Sequence, residues 1–257
     1  MMELEICVDS VESAVAAEQG GAQRVELCSA LSEGGLTPSL GLIRAVRSRI
    51  GIGVYVMIRP RGGDFFYSDD EFSIMREDIA YAAEAGASGA VFGLLTAEGN
   101  VDVERTGELV ETAQSASMEV TFHRAIDMAR DLESSLEDVV STGAHRVLTS
   151  GGAQSASLGS ARLVGLMQAA QGRIGVMVCG NVRPENVQQI AQATGAHEFH
   201  ASLRVPVPSP VTWRNPTLSL GEAGSDEYAR NVVMAQDVRK LRQAMDGVLS
   251  YSSKTAG

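Results

Sequence analysis

Lysine is almost absent from this chain of 257 residues. Only Lys240 and Lys254 occur beside 19 arginines, and neither lies on a stretch that is typical of a strand. Schiff-base enzymes, which include lysine aldolases and pyridoxal-phosphate enzymes, need the amine of a core lysine. The sequence therefore argues against this chemistry, and we expect no pyridoxal phosphate, nucleotide or haem cofactor.

Basic charge, long apolar runs and cysteine are also scarce. The net charge of −11 disfavours nucleic acid and anionic membrane surfaces as partners, because both attract basic faces. No run approaches the ~20 apolar residues of a membrane span. The first residues, MMELEICVDS, lack the basic start of a signal peptide. Three widely spaced cysteines make no disulfide framework, so we predict a protein of the reducing cytoplasm.

Helix-like stretches that end in Gly-Ala recur along the chain, each directly before a strand-like run. The pairs are Gly21-Ala22, Gly86-Ala87, Gly143-Ala144 and Gly195-Ala196. Glycine suits the left-handed residue that ends a helix. We predict strands at 4–8, 24–28, 54–58, 90–94, 119–123, 146–149, 175–179 and 198–202, with helices between them. This alternation indicates an α/β fold with a parallel eight-stranded sheet. Since such barrels take ~250 residues, we predict a single (βα)8 TIM-barrel domain over 1–257.

The stretch 203–224 stands apart from this pattern. It contains four prolines and the only tryptophan, and it shows no helical or strand period. Loops of this length in a compact domain are usually functional or disordered. Because the stretch follows the eighth strand, we predict a long loop over the C-terminal mouth of the barrel, followed by a closing helix at 225–248.

Polar side chains on the predicted strands mark a candidate site, since barrel enzymes carry their sites at the C-terminal strand ends. Glu5, Glu26, Arg59 and His123 stand in or directly after apolar strands, where a polar group must be paired or functional. One interpretation is a pocket for a small anionic or polar ligand, with Arg59 and Arg61 in a glycine-rich loop. The other is a structural network of ion pairs. His123 suits a general base, a ligand or a satisfied histidine, and His200 carries the same alternatives with less weight.

Two further patterns suggest ligand binding. Cys7 and Cys28 lie on neighbouring predicted strands, whose axes are ~4.8 Å apart, so their sulfurs can share a soft ion such as Cu(I). The alternative is that both are small buried apolar residues, and we expect Cys179 to be inert. The glycine-rich turns at 149–152 and 179–181 suit either phosphate binding through backbone amides or ordinary tight turns.

Several segments together resemble the CutC copper-homeostasis family. They are EICVDSVESA (5–14), GAQRVELC (21–28), GGLTPS (34–39), VMIRPRGGDFFYS (56–68), VTFHRAID (120–127), RVLTSGG (146–152), RPENV (183–187), TGAHEFHAS (194–202) and WRNP (213–216). They span almost the whole chain. The resemblance implies a single-domain (βα)8 barrel in the cytoplasm, often a homodimer, with a role in copper handling.

The resemblance also implies site residues. The pocket residues of the family fall on Glu26, Arg59, Arg61 and His123, and the cysteines proposed for Cu(I) correspond to Cys28 and Cys7. The chain departs from the family after the seventh strand, where Cys179-Gly180-Asn181 replaces a run of three glycines. Side chains there crowd an anion against the backbone, which counts against phosphate binding in that turn.

Three functions follow from these patterns. The first is a copper-homeostasis protein that binds Cu(I) through Cys28 and Cys7. The second is a barrel enzyme for a small anionic substrate, with Arg59 and Arg61 as an anion clamp and Glu26 and His123 as an acid/base pair. The third is a barrel that binds a ligand without catalysis, because a fold does not fix a function.

Overall fold

The computed structural model describes residues 2–218, 226 and 228–252. Its strands are β1 (Glu3–Val8), β2 (Arg24–Leu27), β3 (Gly53–Met57), β4 (Gly89–Phe92), β5 (Glu119–Phe122), β6 (Arg146–Thr149), β7 (Gly175–Val178), β8 (Glu198–Ala201), β9 (Arg204–Pro208) and β10 (Ala229–Val233). Its α-helices are α1 (Val11–Gln19), α2 (Leu40–Arg47), α3 (Asp69–Glu84), α4 (Val103–Ser115), α5 (Leu132–Ser141), α6 (Ala156–Ala170), α7 (Val187–Thr194) and α8 (Ala235–Ser252). Strands β1 to β8 form a closed parallel barrel in chain order. The predicted (βα)8 TIM barrel is confirmed.

Glycine forms the turns that lead from several helices into the next strand. Gly21, Gly86, Gly143 and Gly195 all have positive φ angles, between +72° and +94°. A side chain is strained in this left-handed conformation, so glycine is the residue that ends these helices without cost. The repeat in the sequence is therefore a repeated helix-ending turn.

Residues of the barrel strands alternate between two environments. In β1, Leu4 and Ile6 belong to the large apolar core that the strands share with the surrounding helices. Cys7 instead belongs to a separate small cluster with Cys28, Tyr55, Met57 and Val91. Because successive side chains of a strand point to opposite faces, this small cluster lies inside the barrel. The interior is where the predicted polar residues meet.

The chain after β8 differs from the sequence prediction. Arg204–Pro208 forms β9, which pairs antiparallel with β10, although 203–224 was predicted to be a loop. The helix predicted at 225–248 begins only at Ala235, because Ala229–Val233 is a strand. The prolines suggested a loop, but Pro206 and Pro208 are two residues apart. Their missing N–H groups therefore face one open edge of a two-stranded ribbon, where proline is tolerated. Residues 219–225 and 227 of these predictions lie outside the described residues.

The β9–β10 ribbon is fixed to the start of the chain. The Val233 amide donates to Ser13 Oγ at 3.1 Å, and Arg204 pairs with Asp9 at 3.4 Å. Helix α8 then packs against α1 and α7, which completes the ring of helices. Among the described residues, no helix has both the length and the apolar character needed to cross a membrane. One domain over 1–257 stays a prediction.

Candidate functional site

A small cavity lies at the carboxyl ends of the barrel strands and is called the mouth cavity below. Its volume is about 140 Å³. It is lined by Cys7, Glu26, Gly34, Met57, Arg59, Phe65, His123, Arg124, Leu148 and His200. Four of the predicted site residues are thus brought together, namely Cys7, Glu26, Arg59 and His123. Glu5, Arg61 and the described residues of 203–218 do not line the cavity.

Strand pairing brings three ligating side chains together. Cys7 of β1 lies beside Glu26 of β2, and Glu5 of β1 lies beside His200 of β8. One ligand atom from each of Cys7, Glu26 and His200 lies within 4.8 Å of the other two. His200 was predicted with less weight than His123. The pairing of β8 with β1, which periodicity alone does not reveal, places His200 next to Cys7.

Cys28 adds a second sulfur to this group. The Sγ atoms of Cys7 and Cys28 are 4.0 Å apart, and Cys28 Sγ lies 3.6 Å from Glu26 Oε2. Gly35, in the loop after β2, lies directly over Cys28. Its φ is +96°, and a Cβ atom added there would be 3.1 Å from Cys28 Sγ. The loop therefore closes over the sulfurs because residue 35 is glycine. Cys7, Cys28, Glu26 and His200 form the sulfur cluster.

The buried groups of the sulfur cluster share their charge. The hydrogen bond with Cys28 lowers the pKa of Cys7 to about 5, with burial opposing it and His200 assisting it. The same bond, with burial, raises the pKa of Cys28 well above its usual value. Burial acts to lower the pKa of His200, but Glu26, Cys7 and Glu5 raise it well above its usual value. Burial likewise raises the pKa of Glu26. The contact between the sulfurs thus favours ionisation of Cys7 over Cys28, and the neighbouring carboxyl groups and Cys7 favour the protonated form of His200.

Glu5 supports the cluster from inside the barrel. It is fully buried, and its two oxygens lie 2.7 Å from His200 Nδ1 and 2.9 Å from Arg24 Nε. Burial acts to raise the pKa of Glu5, but His200 and Arg24 lower it. Glu5 thus orients the imidazole, as carboxylates behind metal-binding histidines do. Glu5 therefore fits the structural ion-pair network, which was one of the two interpretations from the sequence.

Arg59 joins two loops above the cavity. Its Nη1 donates to the carbonyls of Glu33 at 2.7 Å and Gly35 at 3.2 Å, and its Nη2 donates to the carbonyl of Gly63 at 2.7 Å. These bonds tie the loop after β2 to the loop after β3. The Nε atom of Arg59 has no hydrogen-bond partner in the described part of the chain.

His123 is a neutral hydrogen-bond donor. Its Nδ1 accepts from the Ala125 amide at 3.2 Å, which places the ring proton on Nε2. Burial, with the charge of Arg59, lowers the pKa of His123 to about 3. Nε2 has no partner among the residues that the structure describes. A histidine with so low a pKa is a weak base, so this geometry favours donation. The acid/base pair with Glu26 stays a prediction.

Arg61 points to another part of the surface. It pairs with Glu71 at 2.6 Å and with Asp64 at 2.9 Å, and about a third of its side chain (36%) is exposed. Arg61 therefore does not line the mouth cavity with Arg59, although the charges of both arginines act on Asp64 and Tyr67. The two carboxylates already neutralise its charge.

A protein carboxylate occupies the glycine-rich turn after β6. Asp127 Oδ1 accepts from Thr149 Oγ1 at 2.6 Å, from the Ser150 amide at 3.2 Å and from the Gly152 amide at 2.9 Å. Arg124 Nε donates to the other oxygen at 2.8 Å. The amides that the sequence analysis considered for phosphate are thus bonded within the chain, and the turn is better described as a structural one.

Comparisons with known proteins agree on one family. The model of the CutC family matches residues 2–205. A CutC family protein of Chromobacterium violaceum is 49% identical over 243 residues, which cover 95% of this chain and 98% of that protein. The human copper homeostasis protein cutC homolog is 46% identical over 247 residues, which cover 96% of this chain and 90% of that protein. The crystal structure of CutC from Streptococcus agalactiae superposes with a TM-score of 0.73 at 35% identity, covering 78% of this chain and 98% of that one.

Proposed function

We propose, since this chain belongs to the CutC family, that it handles copper by binding Cu(I) at the sulfur cluster, with Cys7, Cys28 and His200 as ligands. Relatives that cover most of the chain are named for copper homeostasis. The observation that carries the proposal is the pair of buried sulfurs beside an imidazole. Thiolate ligands select soft ions, and Cu(I) is one of them.

The spacing of the sulfurs fits a bound ion. With metal–sulfur bonds of ~2.3 Å, the 4.0 Å between the two Sγ atoms corresponds to an angle at the metal of about 120°. This angle is that of a three-coordinate site. His200 and Glu26 each offer a third ligand beside Cys7, because a His200 ring nitrogen, a Glu26 carboxylate oxygen and Cys7 Sγ lie within 4.8 Å of one another.

A soft cation can bind at the sulfur cluster by displacing protons alone. Cys7 is already a thiolate near neutral pH, because its pKa is about 5. Cys28 and the imidazole give up their protons when a metal binds, as ligands must. All three cysteines of the chain are free, and a reducing cytoplasm would keep them so.

The test is a titration of the reduced, metal-free protein with Cu(I) against a competing chelator. The wild type is expected to hold one tightly bound Cu(I). Cys7→Ser and Cys28→Ser should each weaken binding by more than the ~10–100-fold that follows the loss of a residue behind a ligand. Cys179→Ser is the matched control, because Cys179 is also buried but lies directly after β7 in a separate cluster with Leu148 and Met177.

Zinc gives the second arm of the test. Two sulfurs, an imidazole and a carboxylate also suit Zn²⁺. The same protein is therefore titrated with Zn²⁺ and then challenged with Cu(I) under reducing conditions. Displacement of zinc by Cu(I) supports the proposal. Zinc that stays bound, or Cu(I) binding that both serine variants leave unchanged, contradicts it.

A further inference from the structure

The Arg59 guanidinium is a buried charge without a carboxylate ion-pair partner among the described residues. Only 5% of the residue is exposed. It donates to three main-chain carbonyls and lies over the Phe65 ring at 4.9 Å. The phenol of Tyr67 lies near it. Burial raises the pKa of Tyr67, and the charge of Arg59 opposes that rise. Buried charges are normally paired. The hydrogen-bond partners of Arg59 are neutral, and Asp64, whose pKa is lowered by its hydrogen bond with Arg61 and also by the charge of Arg59, forms no ion pair with Arg59 among the described residues.

His123 presents a second unused donor to the same cavity. It is 4% exposed, and its proton lies on Nε2, as the bond from the Ala125 amide shows. Both Nε2 of His123 and Nε of Arg59 are buried and lack acceptors among the described residues. A buried donor without an acceptor costs about 1–3 kcal/mol. Two such donors and one free positive charge around a single cavity are the features of a binding site that a ligand completes.

The structure assigns to the mouth cavity a second site, in which Arg59 and His123 bind the carboxylate of a small organic acid. This site lies beside the sulfur cluster and does not depend on copper. It also differs from the anion clamp predicted from the sequence, because Arg61 is paired elsewhere and His123 takes its place.

The holding of two loops by Arg59 does not account for these features. Nη1 and Nη2 make every bond to Glu33, Gly35 and Gly63, and Nε takes no part. A neutral donor of similar length would satisfy those carbonyls. The charge, the free Nε and the unpaired Nε2 of His123 remain to be explained, and one negative ligand satisfies all three.

The surroundings favour a singly charged carboxylate over phosphate. The other cationic groups of the lining are paired, Arg124 with Asp127 at 2.8 Å and His200 with Glu5 at 2.7 Å. Arg59 forms no ion pair among the described residues. The Glu26 carboxyl and the Cys7 sulfur line the same cavity, and negative charge there disfavours a dianion. The volume of about 140 Å³ admits a molecule of few heavy atoms. An unpartnered Oε1 of Glu26 offers an acceptor to a hydroxyl on the ligand.

The experiment is a binding titration of the reduced, metal-free protein with acetate, glycolate, lactate and pyruvate, and with phosphate and sulfate for comparison. Binding is followed by calorimetry and by the shift in melting temperature. We expect saturable binding of at least one of the carboxylates with a stoichiometry of one. Arg59→Gln and His123→Phe should each weaken it by about tenfold or more, because each removes a donor to a charged group.

Three further variants give the controls. Arg173→Gln should bind as the wild type does, because Arg173 lies on the surface in a pair with Glu137. Arg59→Lys retains the charge, so it should retain part of the affinity for the carboxylate. It serves as the test variant if Arg59→Gln folds poorly. Cys28→Ser should still bind the carboxylate, which separates this site from the copper proposal.

Several outcomes overturn the assignment. Absence of saturable carboxylate binding does so, as does binding that Arg59→Gln and His123→Phe leave unchanged. If Arg61→Gln loses the same affinity for the carboxylate, the ligand binds at the clamp of Arg59 and Arg61 that was predicted from the sequence. Preference for phosphate or sulfate over every carboxylate contradicts the assigned class of ligand.

Discussion

Replacement of Glu5 by glutamine tests whether the barrel interior is held by charge. Glu5→Gln keeps the shape of the side chain but removes the negative charge that Arg24 and His200 face at 2.9 and 2.7 Å. Glu5 is fully buried and Arg24 is nearly so. Removal of one partner from a buried pair costs about 3–5 kcal/mol when the other charge is left uncompensated. Arg24 keeps a second carboxylate, Glu198 at 2.5 Å, so this range is the upper bound for Glu5→Gln.

This loss is large enough to appear in a melting curve. At ~2–4 °C per kcal/mol for a chain of this size, Glu5→Gln should lower the melting temperature by several degrees and at most by about 20 °C. The assay is scanning calorimetry of the reduced, metal-free protein near pH 7. The same variant should also weaken Cu(I) binding, because the His200 ring loses the carboxylate that orients it.

The matched control is an exposed pair of the same two residue types. Glu137 and Arg173 lie 2.6 Å apart on the surface, with about half of each side chain exposed. Exposed pairs contribute little, so Glu137→Gln should melt as the wild type does. If Glu5→Gln and Glu137→Gln melt together, the interior charges are not what stabilises the barrel, and the reasoning is refuted.

Two other predictions concern glycine and acid. Gly159→Ala in α6 places a Cβ atom 1.9 Å from the Ser150 carbonyl oxygen and should lower the melting temperature strongly. Gly165→Ala in the same helix meets open space and should stabilise by up to ~1 kcal/mol; equal shifts would contradict this. Because burial lowers the pKa of His123 to about 3 from 6.5, only the unfolded chain takes up that proton between these values. Between pH 6.5 and about 3, the free energy of unfolding therefore falls with falling pH by up to ~1.4 kcal/mol per pH unit. In urea unfolding at several pH values, the free energy of His123→Phe should depend less on pH than that of the wild type. An equal dependence on pH in both proteins would contradict the assignment.

The barrel was predictable because its signals are local and repeated. Each Gly-Ala pair marks a helix end, and the positive φ of Gly21 or Gly86 is the physical reason for its place. Strand boundaries agree to within about two residues for the same reason. The β9–β10 ribbon was missed, because Pro206 and Pro208 signal a loop unless the partner strand is known.

The site was predictable only in part. Glu26 and Cys7 were predicted as site residues because a carboxyl group or a thiol on an apolar strand can be recognised from the local sequence. Which inward groups pair with each other depends on competition among charges across strands. Glu5 binds Arg24 and His200 rather than a ligand, and Arg61 finds Glu71 and Asp64. These pairings depend on contacts between residues that are far apart in the sequence. The homodimer and the cytoplasmic location stay predictions.

The Asp127 carboxylate prevents dissolved anions from binding at the turn after β6, on one side of the barrel mouth. It is tethered to the chain within reach of the amides of Ser150 and Gly152, so its effective concentration there exceeds that of any free competitor. Asp127 therefore acts as an intramolecular competitor that occupies the anion-binding amides of the turn. A rise in phosphate concentration should therefore leave this turn unchanged.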